Sequence, residues 1–307
     1  MSGKDFRDFK VTIVGAGRLG STLARRLYDL GNPAFSVISR DAAWLETLAI
    51  TSHPVSFSTR IDNLHRETTF LVLAVPDDHL KETVSALSQI LFFDWQNTMV
   101  VHVSGALDAS VLAPLKKLGA VTGACHPIQT FPTRDEPGDR FDHIYWGIDA
   151  PAAHLRRLKD FVHGLGGSPV VIPASARPMY HLACVMVSNY LVTLSALSGD
   201  VLAACGVNRE DGRKMMLPLI EGTLRGLEGR SPVQSLTGPI ARGDEFTIRQ
   251  HIDELGNQLP HLVPVYAELA LETLRLAVRK ETLSPAQVQE LNHLLTDALN
   301  RHRPDRE

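Results

Sequence analysis

The run Val11-Thr12-Ile13-Val14-Gly15-Ala16-Gly17-Arg18-Leu19-Gly20 constrains the fold of this chain more than any other segment. It reads as a buried β-strand, a glycine turn and a helix opening at Ser21-Thr22-Leu23-Ala24. That context turns a G-x-G-x-x-G pattern into a dinucleotide-binding fingerprint rather than an ordinary glycine-rich turn. In such a turn Gly15 makes the tight bend, Gly17 lets the backbone approach a pyrophosphate, and Gly20 lets helix and strand pack closely. The helix N-terminus that follows, next to Arg18 and Leu19 of the turn, then offers free N–H groups and a positive dipole end to phosphate.

A second strand, Phe35 to Ser39, ends at Ser39-Arg40. An NAD site carries Asp or Glu there, about 20 residues past the glycines, for the ribose 2′-hydroxyl. A carboxylate would repel a 2′-phosphate, whereas a hydroxyl donates to it and a guanidinium pairs with it. The charge logic favours NADP(H), with Ser39 and Arg40 at the discriminating position.

Strand and helix patterns alternate through the first half. Strands are expected over 10–14, 35–39, 70–75, 99–103, 120–124, 144–148 and 169–172, and helices over 19–30, 42–48, 79–90, 109–117 and 152–165. Short apolar runs of this kind read as buried parallel strands, so the expected fold class is α/β, a Rossmann-type doubly wound parallel sheet. After Pro173 strand-like runs vanish, and helices are expected over 177–204, 209–225, 245–258, 262–280 and 285–300. Ser284-Pro285 is a typical helix start. The expected organisation is a nucleotide-binding domain over 1–173 and an all-helical substrate and dimerisation domain over 174–307.

The 307 residues suffice for two domains with cores, and a net charge of −3 without a basic block gives nucleic acid no footprint. Cys125, Cys184 and Cys205 form no C-x-x-C pair, which fits a reducing cytoplasm and no metal site. Met1-Ser2-Gly3-Lys4-Asp5-Phe6-Arg7-Asp8 lacks the apolar core of a signal peptide. Met179 to Ser198 holds no Asp, Glu, Lys or Arg, long enough to test for a membrane span. His181, Ser188, Asn189, Thr193 and Ser195 interrupt it, so the expectation is a helix buried on most sides in a helical domain, with no membrane partner.

In an open α/β sheet, ligands bind beyond the carboxyl ends of the strands. Ala74-Val75-Pro76 falls there, beside the cofactor, and Ser104-Gly105 falls where it could reach the nicotinamide half. Cys125-His126-Pro127 does so too, and His126 is equally readable as a site or a structural residue. On the helix after Arg177, His181, Val185, Ser188, Asn189, Val192 and Ser195 lie near one face. That stripe suits a ligand, with His181 as proton donor and Ser188 and Asn189 orienting a substrate; it also suits tight helix packing around a satisfied buried histidine. The segment 235–244 reads as a polar loop in which Arg242 could clamp a carboxylate and Asp244 caps the next helix.

Gly15-Ala16-Gly17-Arg18-Leu19-Gly20, Val103-Ser104-Gly105-Ala106, Cys125-His126-Pro127-Ile128-Gln129-Thr130-Phe131, Tyr180-His181 with Ser188-Asn189, and Leu236-Thr237-Gly238-Pro239 with Arg242-Gly243-Asp244 occur in this order. Over nearly its whole length the chain resembles bacterial Rossmann-like proteins with a C-terminal helical domain of unknown function. More distantly it is similar to the 6-phosphogluconate, ketopantoate, pyrroline-5-carboxylate and prephenate dehydrogenase superfamily. The resemblance implies an NADP-linked oxidoreductase fold with a cleft between its domains, and names no substrate. Several relatives carry a catalytic lysine on the first long helix of the second domain, with an asparagine one turn later. Here that helix has His181, no lysine, and an asparagine two turns on, so the lysine's role falls to a histidine, whose ordinary pKa of about 6.5 suits proton donation.

The resulting expectation is a cytoplasmic NADP(H)-dependent reductase of a small carbonyl or imine, possibly a 2-oxo acid, bound in the interdomain cleft. His181, Ser188 and Asn189 serve catalysis, His126 and Arg242 bind substrate, and a homodimer forms through the helical domain. The alternative is a non-enzymatic NADP(H)-binding redox sensor or scaffold. An interaction protein with a vestigial nucleotide site fits least, because the fingerprint is intact.

Overall fold

The computed structural model describes residues 6–302, so Met1 to Asp5 of the segment read above for a signal peptide lie outside the described residues. The chain divides into two compact units at Tyr190/Leu191. In the first, eight strands form one sheet: β1 (Val11–Val14), β2 (Ser36–Ile38), β3 (Ser56–Ser58), β4 (Phe70–Leu73), β5 (Met99–His102), β6 (Val121–Pro127), β7 (Tyr145–Asp149) and β8 (Ser168–Val171). Their order is β3-β2-β1-β4-β5-β6-β7-β8. The chain leaves β1 toward β2 and β3 on one side and toward β4 on the other, which makes the β1/β4 boundary the topological switch point.

Period-two alternation sends side chains to both faces of the sheet. Ile13, Phe70, Val72 and Val101 join one core with Leu23 and Leu27 of α1 (Arg18–Asp29), Leu45 and Leu48 of α2 (Ala42–Ser52) and others. Val14, Leu71, Leu73 and Val100 join the other, with Leu80 and Val84 of α3 (Asp77–Ser88) and Leu115 of α4 (Ala113–Lys117). Leu158, Phe161 and Val162 of α5 (Leu155–Gly164) return to the first face, where Phe161 stacks on Phe70 at 4.1 Å.

Several expectations needed correction. Ser56-Phe57-Ser58 pairs with β2 although it shows no apolar run; it is an edge strand with Phe57 exposed. β6 runs on to Pro127, so Cys125 and His126 lie within a strand instead of beyond it. β6 and β7 pair antiparallel, with Cys125 opposite Ile148 and His126 opposite Gly147, so the sheet is not wholly parallel. The physical reason is the connection over 128–144, which holds a single 3₁₀ turn, Gly138–Phe141, and no α-helix to make a crossover. The helices expected at 109 and 152 begin as 3₁₀ turns, Ala109–Leu112 and Ala152–His154.

α6 (Arg177–Ala204) crosses the division between the units, so the break falls beyond the expected Pro173. Its first turn is tied to the sheet by bonds described below. The expectation that α6 is buried on most sides is overturned: Met179, Val187 and Val192 are 70%, 75% and 70% exposed. By length and composition alone Ala174–Ala204 could cross a membrane.

The second unit continues with α7 (Arg209–Glu228), α8 (Pro232–Ser235), α9 (Pro239–Arg242), α10 (Glu245–Gln258), α11 (Val263–Arg279) and α12 (Pro285–His302). Its core draws on α9 to α12, through Ile240, Ile248, Val263, Leu274, Leu291 and Leu295 among others, and takes nothing from α6 or α7. That is why α6 keeps its apolar surface. Half of the expected loop at 235–244 is helical, with Pro239 in the first turn of α9 and Gly243 left-handed at φ 69° after it. Asp244 caps α10 by accepting from Thr247 N at 3.1 Å, and Ser284 caps α12 by accepting from Gln287 N at 3.3 Å.

Candidate active site

The three fingerprint glycines are required for three different reasons. Gly15 has φ 103°, and a Cβ there would meet the Ala74 carbonyl oxygen at 2.4 Å. A Cβ on Gly20 would sit 1.9 Å from the Gly15 carbonyl oxygen, so α1 can close on the turn only without one. Gly17 has ordinary extended dihedrals and no atom within 4 Å of a built Cβ. Its missing side chain opens a path to the helix start, where no side chain caps the first turn. The residues present therefore fit a dinucleotide pyrophosphate.

A cavity of about 630 Å³ opens from this turn beyond the carboxyl ends of β1, β2 and β4. Gly15, Gly17, Ser39, Arg40, Ala74, Val75 and Pro76 line it. Arg18, Leu19 and Gly20 form the first turn of α1 behind it and do not line it. Thr59, Ile61, Thr83 and Arg134 line it too and were not anticipated. Thr59 and Ile61 follow β3, the strand without an apolar signal; Arg134 comes from the β6–β7 connection, and no local spacing announces it.

Ser104 and Gly105 lie beyond β5, outside that cavity lining. The Ser104 hydroxyl donates to Asp77 Oδ2 at the start of α3 at 2.7 Å and accepts from Leu107 N at 3.1 Å, so its proton is committed to α3. His102 is fully buried; its Nε2–H donates to the Asp108 carbonyl at 3.0 Å and its Nδ1 accepts from Ser104 N at 3.2 Å. Burial pushes its pKa down to about 4, with the Arg177 charge adding to the effect. Arg177, also fully buried, donates to the carbonyls of Leu107 at 2.6 Å and Ser104 at 2.7 Å, while its Nη1 finds no partner. The loop is thus braced from three sides: Asp77, His102 and Arg177.

Against Gly105 stand two imidazoles. A Cβ on Gly105 would lie 2.5 Å from His181 Cδ2 and 3.0 Å from His126 Nε2. The two rings are 6.1 Å apart and nearly perpendicular. His126 Nδ1 shares a 2.7 Å hydrogen bond with the Tyr180 hydroxyl, and the Tyr180 ring covers Gly147 on β7. Burial first, then the charges of Arg177, His181 and His102, push the His126 pKa down to about 4. Burial raises that of the Tyr180 phenol, helped by the adjacent Cys184 thiol. Near neutral pH, His126 is therefore an uncharged imidazole beside a protonated phenol.

The structure thus brings His126, His181 and Gly105 together and adds Arg177, together with His102 and Tyr180, which the sequence places in the strand-end segment 102–106 and in the Tyr180-His181 motif without a role. Tyr180 and His181 are adjacent in sequence, and that adjacency was the one available signal. Ser188 and Asn189 follow two turns along α6, about 10 Å further at 1.5 Å per residue, and do not join the cluster. Arg242 belongs to the second unit, at the end of α9, with its guanidinium 3.8 Å from Asp244. Among the described residues no group of three His, Cys, Asp or Glu side chains could hold a metal ion.

Residues 2–127 match the Rossmann-like domain, and residues 144–273 match the domain of unknown function DUF2520. No curated protein matches the chain. Among solved structures, a proposed NADP oxidoreductase from Bacteroides fragilis has a TM-score of 0.71 at 24% identity, over 88% of this chain and 99% of its own. A Thermotoga maritima protein gives 0.68 at 22% identity, over 89% and 100%. Pyrroline carboxylate reductase from Plasmodium falciparum, with NADP bound, gives 0.57 at 11% identity, over 94% and 98%. At these identities the likeness is one of fold. With a glycine turn built as the fingerprint demands, the chain carries a Rossmann-like domain over 2–127 followed by a DUF2520 match over 144–273, the order of a Rossmann-like protein with a C-terminal helical region.

Proposed function

We propose that this chain is an NADP(H)-dependent oxidoreductase that reduces a small carbonyl or imine compound. The observation that carries the reading is the placement of the His126–Tyr180–His181 cluster relative to the glycine turn. β1, β4 and β5 are consecutive in the sheet, so Gly105 lies two strand spacings, roughly 10 Å, from the turn. A dinucleotide whose pyrophosphate rests on α1 spans that distance toward its nicotinamide. The cofactor would supply the hydride. Gly15, Gly17 and the first turn of α1 (Arg18, Leu19, Gly20) hold the pyrophosphate, and Ala74 to Pro76 border the path toward Ser104 and Gly105. Ser39 and Arg40 meet a 2′-phosphate. The fold also recurs in a reductase crystallised with NADP.

The chain's own part is positioning and proton delivery. His181 donates the proton to the developing oxyanion or amine nitrogen. His126, neutral and fixed by Tyr180, bonds the substrate beside His181. Ser188 and Asn189 are further substrate contacts under this reading.

The apolar face of α6 supports a homodimer through the helical region, since exposed patches of this kind mark interfaces and twofold dimers are the commonest assembly. A dimer, rather than lipid, covering that face accounts for Ser188 and Ser195 within the same helix, and the three free cysteines suit a cytoplasmic location.

Calorimetric titration with NADPH and NADH, then turnover of a panel of 2-oxo acids, cyclic imines and hydroxy acids, tests the proposal. Preference for NADPH with turnover of a panel member supports it. Tight NADPH binding with no turnover across the panel favours the redox-sensor reading instead. Arg40→Ala should weaken NADPH selectively, by roughly 1–3 kcal/mol.

A further inference from the structure

The adenosine end of the cavity contains a residue from a remote part of the chain. Arg134 lies in the β6–β7 connection, 93 residues beyond Asp41, yet its Nη1 donates to Asp41 Oδ2 at 2.7 Å. Its guanidinium carbon sits 5.3 Å from the centroid of the Trp44 ring. It lines the same cavity as Ser39, Arg40 and Thr59.

This position is built from both sides. Arg25 of α1 donates to the carbonyls of Arg134 at 2.7 Å and Glu136 at 3.1 Å, which fastens the loop to the helix that opens at the glycine turn. Trp44 donates through Nε1 to Ser21 Oγ at 2.8 Å, so the platform beneath Arg134 is fixed to that same helix. Asp41 lines the same cavity and its carboxylate is engaged twice, by Arg134 at 2.7 Å and by capping α2 through Trp44 N at 3.1 Å.

The charge balance gives this arrangement its meaning. Asp41 stands one residue past Arg40, where a bare carboxylate would repel a 2′-phosphate. Arg134 cancels that charge locally and leaves Arg40 as the cation beside the Asp41–Arg134 pair, while the other lining carboxylate, Glu82, stands on α3. A guanidinium presents five donors in a fork, so one engaged with Asp41 through Nη1 retains others for a phosphate oxygen.

We propose that Arg134 is a specificity-determining residue for the cofactor: it neutralises Asp41 and, together with Arg40, clamps the 2′-phosphate of NADP(H). This rests on the NADP(H) reading above. The clamp bridges two segments that are remote in sequence, so the 128–144 connection becomes part of the nucleotide site.

The test is calorimetric titration of the full chain and of Arg134→Gln, Arg134→Lys and the double variant Arg134→Gln/Asp41→Asn, each with NADPH and with NADH. Thermal melting confirms that each variant folds; Arg134 is 43% exposed in its side chain and carries no core packing. Arg134→Gln should weaken NADPH by about tenfold or more and NADH by less than about threefold. Arg134→Lys should retain part of the preference, and removing the Asp41 charge in the double variant should restore part of the lost NADPH affinity. Equal weakening of both nucleotides, or no weakening, would overturn the proposal and leave Arg134 as a loop anchor. A wild-type chain without preference for NADPH overturns the cofactor reading and this inference with it. A wild-type preference that Arg134→Gln leaves intact overturns this inference alone.

Discussion

Gly105 and His181 are in mutual contact so close that a single methyl group on Gly105 would fall 2.5 Å from the imidazole Cδ2. The same methyl would press on His126 Nε2 at 3.0 Å. Gly105→Ala should therefore displace both rings while leaving the braces on Ser104 in place. Displacements near 1 Å cost about 10²-fold in rate. The expected outcome is a folded protein, near wild type in NADPH affinity, with turnover lowered by about that factor. Steady-state kinetics with a melting curve checks it, and unchanged turnover would separate these imidazoles from the chemistry.

His181→Gln probes the proton donor itself. If His181 delivers the proton, turnover falls by roughly 10²–10⁴-fold while the fold and NADPH binding persist. A destabilised variant with full turnover would make His181 structural and pass the role to His126.

Acid should loosen the first unit in a defined window. His102 and His126 both have folded-state pKa values lowered to about 4, by burial first. In the unfolded chain each titrates near about 6.5. Between those values the unfolded state binds more protons, so stability is full above about pH 6.5 and falls as the pH drops toward 4. Each imidazole contributes at most about 3 kcal/mol to that fall. Denaturant melts across the window check it; His126→Gln should shallow the slope, and an unaltered slope would deny His126 its share.

The exposed side of α6 predicts assembly. Light scattering of the wild type should give the mass of two chains at micromolar concentration. Val187→Glu places a charge on a side chain that is 75% exposed within the chain, so it should spare the fold and yield single chains. A wild-type monomer in aqueous buffer would remove the dimer from the reading.

How much could be read in advance depended on whether the signal was local. The glycine turn, the buried strands and the helices Arg177–Ala204 and Glu245–Gln258 follow from periodicity and capping within a few residues. β3 escaped because an exposed edge strand needs no apolar run. The antiparallel β7 escaped because strand direction is set by what connects the strands, and the 128–144 segment has no periodic pattern to read. In the site, Gly15, Arg40 and His181 were legible as residue types in context. Arg177 was not: a lone arginine before a proline reads as a surface residue, and only the fold shows its guanidinium sealed against two carbonyls. Arg134 was equally silent, because its partners Asp41 and Trp44 stand in another part of the chain.

Arg177 also bears on how such a chain can be divided. By sequence pattern it opens the helical half, yet it holds the Ser104 and Leu107 carbonyls, and Tyr180 three residues later holds His126. A fragment ending at Pro173 would carry a nucleotide fold stripped of these supports, with the Ser104 and Leu107 carbonyls left without their donor. A fragment ending near Tyr190 keeps them. For recombination between relatives the same fact cuts the other way: a crossover placed at the visible change of pattern exchanges the two imidazole neighbours, Tyr180 and His181, along with the helices. Chemistry at the nicotinamide end would then be inherited from the C-terminal parent, while cofactor choice stays with the N-terminal one.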